Sequence, residues 1–195
     1  IGASSVVAVN SALTASAADM TSAELAALDD VTEGVITATL VTGNAASFSA
    51  MTNDHSNNVV TVNINDGDAT SIAATVLSTI GGKTSGDVTA SEAINITGST
   101  VQVTAALVTG ATKIEVSDAT VALNDAASVA ALNLIAAETA GVVTATVTAG
   151  AFSALNALSG TAADALTLSM TDDSITAANL NTLAGKTTVQ LTSDS

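Results

Sequence analysis

The stretch LSTIGGKTSG, Leu77–Gly86, returns almost unchanged as LNTLAGKTT at Leu180–Thr188. Looser versions stand at Leu25–Gly34, LAALDDVTEG, and at Leu132–Gly141, LNLIAAETAG. Aligned on their threonines (Thr32, Thr84, Thr139 and Thr187), the copies are spaced by 84 − 32 = 52, 139 − 84 = 55 and 187 − 139 = 48 residues. Gly34, Gly86 and Gly141 follow the threonine by two, with Val189 in that place in the fourth copy. Leu28, Ile80, Ile135 and Leu183 precede it by four.

Between these copies lies a second similarity. FSAM at Phe48–Met51 returns as FSAL at Phe152–Leu155, an interval of 152 − 48 = 104, twice 52. Each 52-residue interval therefore holds two unlike halves of about 26, inside the 20–50 residue window of stacked repeat architectures. The halves also switch periodicity. Ser71–Ile80 and Ser174–Leu183 place apolar residues on one helical face, with Ala127–Ile135 a third such segment. Val59–Asn65, Thr112–Asp118, Gly141–Thr148 and Ala165–Met170 alternate Val, Ile and Leu with polar residues, the pattern of half-buried strands. One helix and one or two strands per ~26 residues cannot bury their own faces, but stacked coils can.

The expectation is a right-handed parallel β-solenoid with short helices, its four named strands in one stacked sheet. It forms a single domain over 1–195. Residues 1–30 make a helical N-terminal portion or cap over the open end, and 31–195 make stacked repeats. The Asp172-Asp173 pair reads as the N-cap of the helix after it. Gly34, Gly86 and Gly141 are expected in left-handed turns after helices. Both SSVVAVN, Ser4–Asn10, and TVQLT, Thr188–Thr192, read as strands free to continue the stack. Starting at Ile1 rather than Met, the chain reads as a processed form or an excised piece.

Composition narrows the function. There is no Trp, Tyr, Cys or Pro, and Phe48 and Phe152 are the only aromatics, so the core is built of Ala, Val, Leu and Ile. Three lysines against 18 acids give a formal net charge of −15. Nucleic-acid binding depends on Lys and Arg displacing counterions, so that partner is excluded, and anionic membrane surfaces are repelled. No apolar run reaches the roughly 20 residues of a membrane span, so insertion is not expected. The charge strains the folded state unless salt or bound cations relieve it.

Particular phrases carry a resemblance. KIEVSDATVALNDAASVAALNLIAAETAGVVTA, LTLSMTDDSITAANLNTLAGKTT, ITGSTVQVTAALVTG and SGTAAD (Ser159–Asp164) resemble the tandem repeats of very large secreted surface proteins of marine cyanobacteria and other aquatic bacteria. That likeness implies an extracellular, cell-surface location and a role as sheath, filament, surface-layer or adhesive material. It supplies no catalytic residues.

Candidate sites are few. His55, in TNDHSNN, is the sole histidine and reads as a solvent-exposed loop residue; no second His or Cys is present to complete a zinc site or a triad. Adjacent carboxylates, Asp29-Asp30 or Asp172-Asp173, do not face a common cleft, so the chain is not expected to be an enzyme. Asp66, Asp68, Asp118, Asp125, Asp172 and Asp173 gather at strand ends. Two readings stand for them: Ca²⁺ ligands in oxygen-rich loops, or helix caps and turn formers. Asn95-Ile96-Thr97 is a lone glycosylation sequon. Threonine pairs such as Thr37/Thr39 and Thr144/Thr146 share a strand face and suggest ice binding as one alternative, an adhesin stalk being another. The leading expectation is a structural module that self-associates head to tail into a filament or layer.

Overall fold

The computed structural model describes residues 12–14, 20–110, 112–160, 163–189 and 191–193. SSVVAVN lies outside this set. Within it, one pass of the chain lays a strand in a first sheet, a strand in a second, and then a helix. Strand β5 (Val88–Ala90), β6 (Asn95–Gly98) and α4 (Thr100–Val103, continued by the π-helical Thr104–Val108) make one pass. Strand β7 (Ile114–Glu115), β8 (Thr120–Ala127) and α5 (Val129–Ala137) make the next.

Earlier elements are β1 (Leu13–Thr14), α1 (Ser22–Asp29), β2 (Ile36–Thr39), α2 (Ala45–Ala50), β3 (Val59–Ile64), β4 (Ser71–Ala73) and α3 (Ala74–Gly81). Later ones are β9 (Val143–Val147), α6 (Phe152–Leu155), β10 (Ala165–Thr167), β11 (Ser169–Met170), α7 (Ala177–Ala184) and β12 (Thr192–Ser193). All strand pairs are parallel. The first sheet runs β1-β2-β3-β5-β7, the second β10-β9-β8-β6-β4, and β11 pairs β12.

The register stacks like on like. Val62 pairs Val88 and Val88 pairs Ile114; Ile72 pairs Ile96, Ile96 pairs Val121, and Val121 pairs Val143. These side chains point inward and are buried. The helices close the remaining side with Leu77 and Ile80 from α3, Leu132 and Ile135 from α5, and Leu183 from α7, all buried. Such short β-branched strands have neither length nor aromatic bulk to bury themselves, so helices and both sheets share one aliphatic core.

This corrects the expected architecture. The protein is a compact α/β fold with two parallel sheets and, among the described residues, seven α-helices; it is not a strand-dominated right-handed β-solenoid. The four named strands do not form one sheet. β3 and β7 lie in the first, β9 and β10 in the second. The physical reason is the bend within each pass: β5 and β6 are separated by Ser91–Ile94, which turns the chain from one sheet to the other. The helices start later than expected, since Ser71–Ala73 and Ala127 are strand. Among the described residues of the N-terminal side, Ser22–Asp29 is helical, held by a capping box in which the Thr21 hydroxyl accepts from Glu24 N–H.

The glycine expectation is also corrected. Among the described residues only Gly67 has a positive φ among glycines. Gly86 and Gly141 are instead required by close backbone approach: an added Cβ would stand 2.6 Å from the Val60 carbonyl oxygen and 2.2 Å from that of Ala119. Their N–H groups bond to the hydroxyls of Thr84 and Thr139, as does that of Gly34 to Thr32. In the fourth copy Val189 keeps this bond, to Thr187.

Gly86→Ala is therefore expected to cost about 2 kcal/mol by forced backbone displacement. Gly110→Ala is the control, because a Cβ there meets nothing within 4 Å. Thermal melting of the two variants against the parent checks the difference.

Candidate functional site

The repeat threonines form a buried polar column. Thr32, Thr84, Thr139 and Thr187, with Asn58 and Asp164 between them, are each at most 9 % exposed. Thr84 Oγ1 accepts from Val60 N–H (2.8 Å) and donates to the Val60 and Asn58 carbonyls. Thr187 does the same to Leu166, and Thr139 donates to the Ala119 carbonyl. Asn58 Oδ1 accepts from Ile36 N–H (2.8 Å) and Asp164 Oδ1 from Val143 N–H (2.9 Å). Positions 58 and 164 escaped the sequence reading. Their signal was spacing, since 58 − 32 = 26 and 164 − 139 = 25, one half-repeat beyond a motif threonine.

The GKT phrase has a second component. Lys83 Nζ donates to the carbonyl of Met51, the C-cap of α2, and Lys186 Nζ to that of Leu158, just after α6. A cation at a helix C-terminus satisfies free carbonyls and opposes the dipole. The two copies with lysine are those that follow the two FSA helices; the other copies carry Val31 and Glu138 there.

The six acids read as calcium ligands are dispersed. Among the described residues no three His, Cys, Asp or Glu side chains converge as a metal-binding group. Three of the six perform one shared task, each accepting the first helical N–H of a helix one pass earlier. Asp66 takes that of Ala45 in α2 (2.7 Å), Asp125 that of Thr100 in α4 (2.7 Å), and Asp172 that of Phe152 in α6 (2.5 Å). The Thr100 hydroxyl, then its N–H, holds the Asp125 carboxyl below its usual range. Asp68 accepts from Ala93 N–H, while Asp118 and Asp173 are exposed. The N-cap of α7 is Thr176 rather than the Asp172-Asp173 pair, because Asp172 reaches back to α6.

His55 is half-buried and engaged, not a free loop residue. Its Nδ1 lies 2.8 Å from Asp29 Oδ1, and its Nε2 lies 3.6 Å from Glu33 Oε2. Asp29, 5 % exposed at the end of α1, also accepts from Asp54 N–H (2.7 Å) and Asn58 Nδ2 (2.8 Å). Burial pushes the Asp29 carboxyl up, yet the bonds from His55, Asp54 and Asn58 outweigh it and hold the group below its ordinary value. The Asp29 bond, then its charge, raises the His55 ring above its ordinary value. The hydrogen bond to Asp29 and the nearby charge of the exposed Glu33 both stabilise the ring as the cation. Asp30, the neighbour in sequence, is exposed and does not share the cluster.

Two substitutions separate these roles. Lys83→Met is expected to cost about 1 kcal/mol, a charged hydrogen bond discounted for partial exposure. Asp66→Ala is expected to cost about 1 kcal/mol, as for a lost helix cap, and to do so equally in calcium and in chelator. A cost seen only in calcium, in urea unfolding curves, would reassign that carboxylate as a ligand.

Comparison with protein-family models, curated proteins and solved structures found no match for this chain.

Proposed function

We propose that this chain is a structural module of an extracellular bacterial surface filament, sheath or surface layer, associating with copies of itself head to tail. The observation that carries this reading is where the reactive-looking side chains go. Asp66, Asp125 and Asp172 hold helix N-termini of the preceding pass, and Lys83 and Lys186 hold the ends of the FSA helices. Thr84 and Thr187 hold strands. Chemistry that a catalytic or ligand site would keep available is committed to joining one pass to the next.

Parallel ladders also suit assembly. The outermost strand of a sheet presents N–H and C=O groups that another copy can pair with, and a heterologous contact of this kind grows into an open filament. Calcium enters as a counter-cation to the −15 charge, relieving repulsion within and between copies. The outward rank of the second sheet reads Ala73, Thr97, Ala122, Thr144, Ala165. A threonine rank interrupted by alanine favours a structural role over ice binding.

The test is electron microscopy and fibre diffraction of the purified chain in millimolar calcium. Filaments with a meridional reflection near about 4.8 Å, strands stacked along the axis, are expected. A monomer at high concentration in salt and calcium would overturn self-assembly, and thermal hysteresis in that monomer would favour the ice-binding reading.

A further inference from the structure

The side-chain hydrogen bonds described between α1 and later segments all end on one carboxylate, that of Asp29. Its partners all come from the loop Asn53–Asn58: Asp54 N–H, His55 Nδ1 and Asn58 Nδ2. The loop is braced in turn, since Asn58 Nδ2 also donates to Asn53 Oδ1 and Asn53 Nδ2 donates to the Lys83 carbonyl. Within this otherwise fixed cluster, His55 is the one member that changes charge near neutrality.

We propose that His55 is a pH-operated latch: as an imidazolium it bridges Asp29 at the end of α1 and Glu33 just beyond it, and as a neutral ring it releases Glu33 and loosens α1 from the Asn53–Asn58 loop. A neutral ring has one proton. Placed on Nδ1 it keeps the bond to Asp29 only as a neutral donor, which weakens the tie between α1 and the loop, and the Nε2 lone pair then faces the Glu33 carboxylate and repels it. Among the described residues, the charged groups facing the ring are Asp29 from α1 and Glu33 from the segment leading to β2. Asp30 and Asp54, on the neighbouring turns, are exposed, and the Lys83 ammonium of the following pass is drawn to Met51.

The sign follows from the two partners. The His55 ring is raised above its ordinary 6.5, so its contribution is complete below that value and is lost as pH rises through the raised one. The Asp29 carboxyl is lowered from 3.8, so its contribution is complete above that value and is lost as pH falls through the lowered one. The latch is closed between them, in mildly acidic solution.

The test is residue-resolved hydrogen exchange on the full chain at about pH 5.5 and about pH 8.5, either side of an ordinary histidine, with intrinsic rates divided out. Protection of α1 and of the Asp54 amide is expected to fall at the higher pH while β6 and β8 stay unchanged. The fall is about tenfold per unit of difference between the latched and released histidine. His55→Gln, which keeps a donor but no charge, is expected to show the weaker protection at both pH values. Glu33→Gln is expected to lower the His55 titration midpoint read from its ring proton. Equal α1 protection at both pH values, a fall spread evenly over the sheets, or a midpoint at or below the ordinary value would overturn the latch. The titration of the unsubstituted chain decides the matter even if a variant fails to fold.

Discussion

The constraint on which the rest of this structure depends is a buried acceptor placed against a strand that has run out of partners. Where the chain leaves a helix and enters a sheet, the preceding pass presents an N–H group, that of Ile36, Val60, Val143 or Leu166, whose acceptor is a side chain. A buried unpaired donor is destabilising by about 1–3 kcal/mol. Asn58, Thr84, Asp164 and Thr187 each supply the missing acceptor from inside the core. Their positions then set the register of everything between them. A hydroxyl is the smallest group that can accept from one strand, donate to its carbonyl and accept from its own chain two residues on. That economy explains why a hydroxyl recurs at the motif position.

Glycine two residues on reflects tight layering. At Gly86 and Gly141 the backbones approach until no Cβ fits between them, whereas in the fourth copy Val189 keeps the same bond to its threonine with a side chain in place. The aliphatic composition is consistent with this tight layering. With Phe48 and Phe152 the only aromatics, the core is assembled from Val, Ile, Leu and Ala aligned pass upon pass.

Charge obeys the same economy. An excess of acid is a burden on a folded chain, but half of the carboxylates singled out as ligands serve as caps, each stabilised by the positive end of a helix dipole one pass away. Asp29 and Asp164 are buried and hydrogen-bonded, while Asp30, Asp54, Asp118 and Asp173 face solvent, where salt screens them. This makes the protein's acidity compatible with a tight core and places two of its three lysines at helix C-termini, at Met51 and Leu158.

Much of this was legible in the sequence. The four motif copies, their threonines, the ~26-residue half-period and the alternation of helix and strand were all readable, because a stacked structure repeats its local chemistry at the interval of its layers. Strands β3 and β9 were readable from β-branched alternation, a local property, but the longest of the described strands, β8 (Thr120–Ala127), carries the polar Asn124 and Asp125 and was not. Other features were not readable. That four strands belong to two sheets depends on a bend of a few residues, and Ser91–Ile94 carries no turn signature of its own. That Asp172 serves α6 behind it rather than α7 ahead of it, and that Lys83 grips the end of α2, are relations between passes; a local capping rule looks only along the chain. His55 stands among polar residues and so resembled a free loop histidine. Its partners, Asp29 and Glu33, lie more than 20 residues away in sequence and reach it only when α1 docks. Sequence by itself determined the period, the aliphatic core and the acceptor at each motif, because these follow from residue type and spacing. Tertiary structure alone decided which pass each polar side chain serves, because a hydrogen bond between layers is set by distances in space that spacing along the chain does not encode.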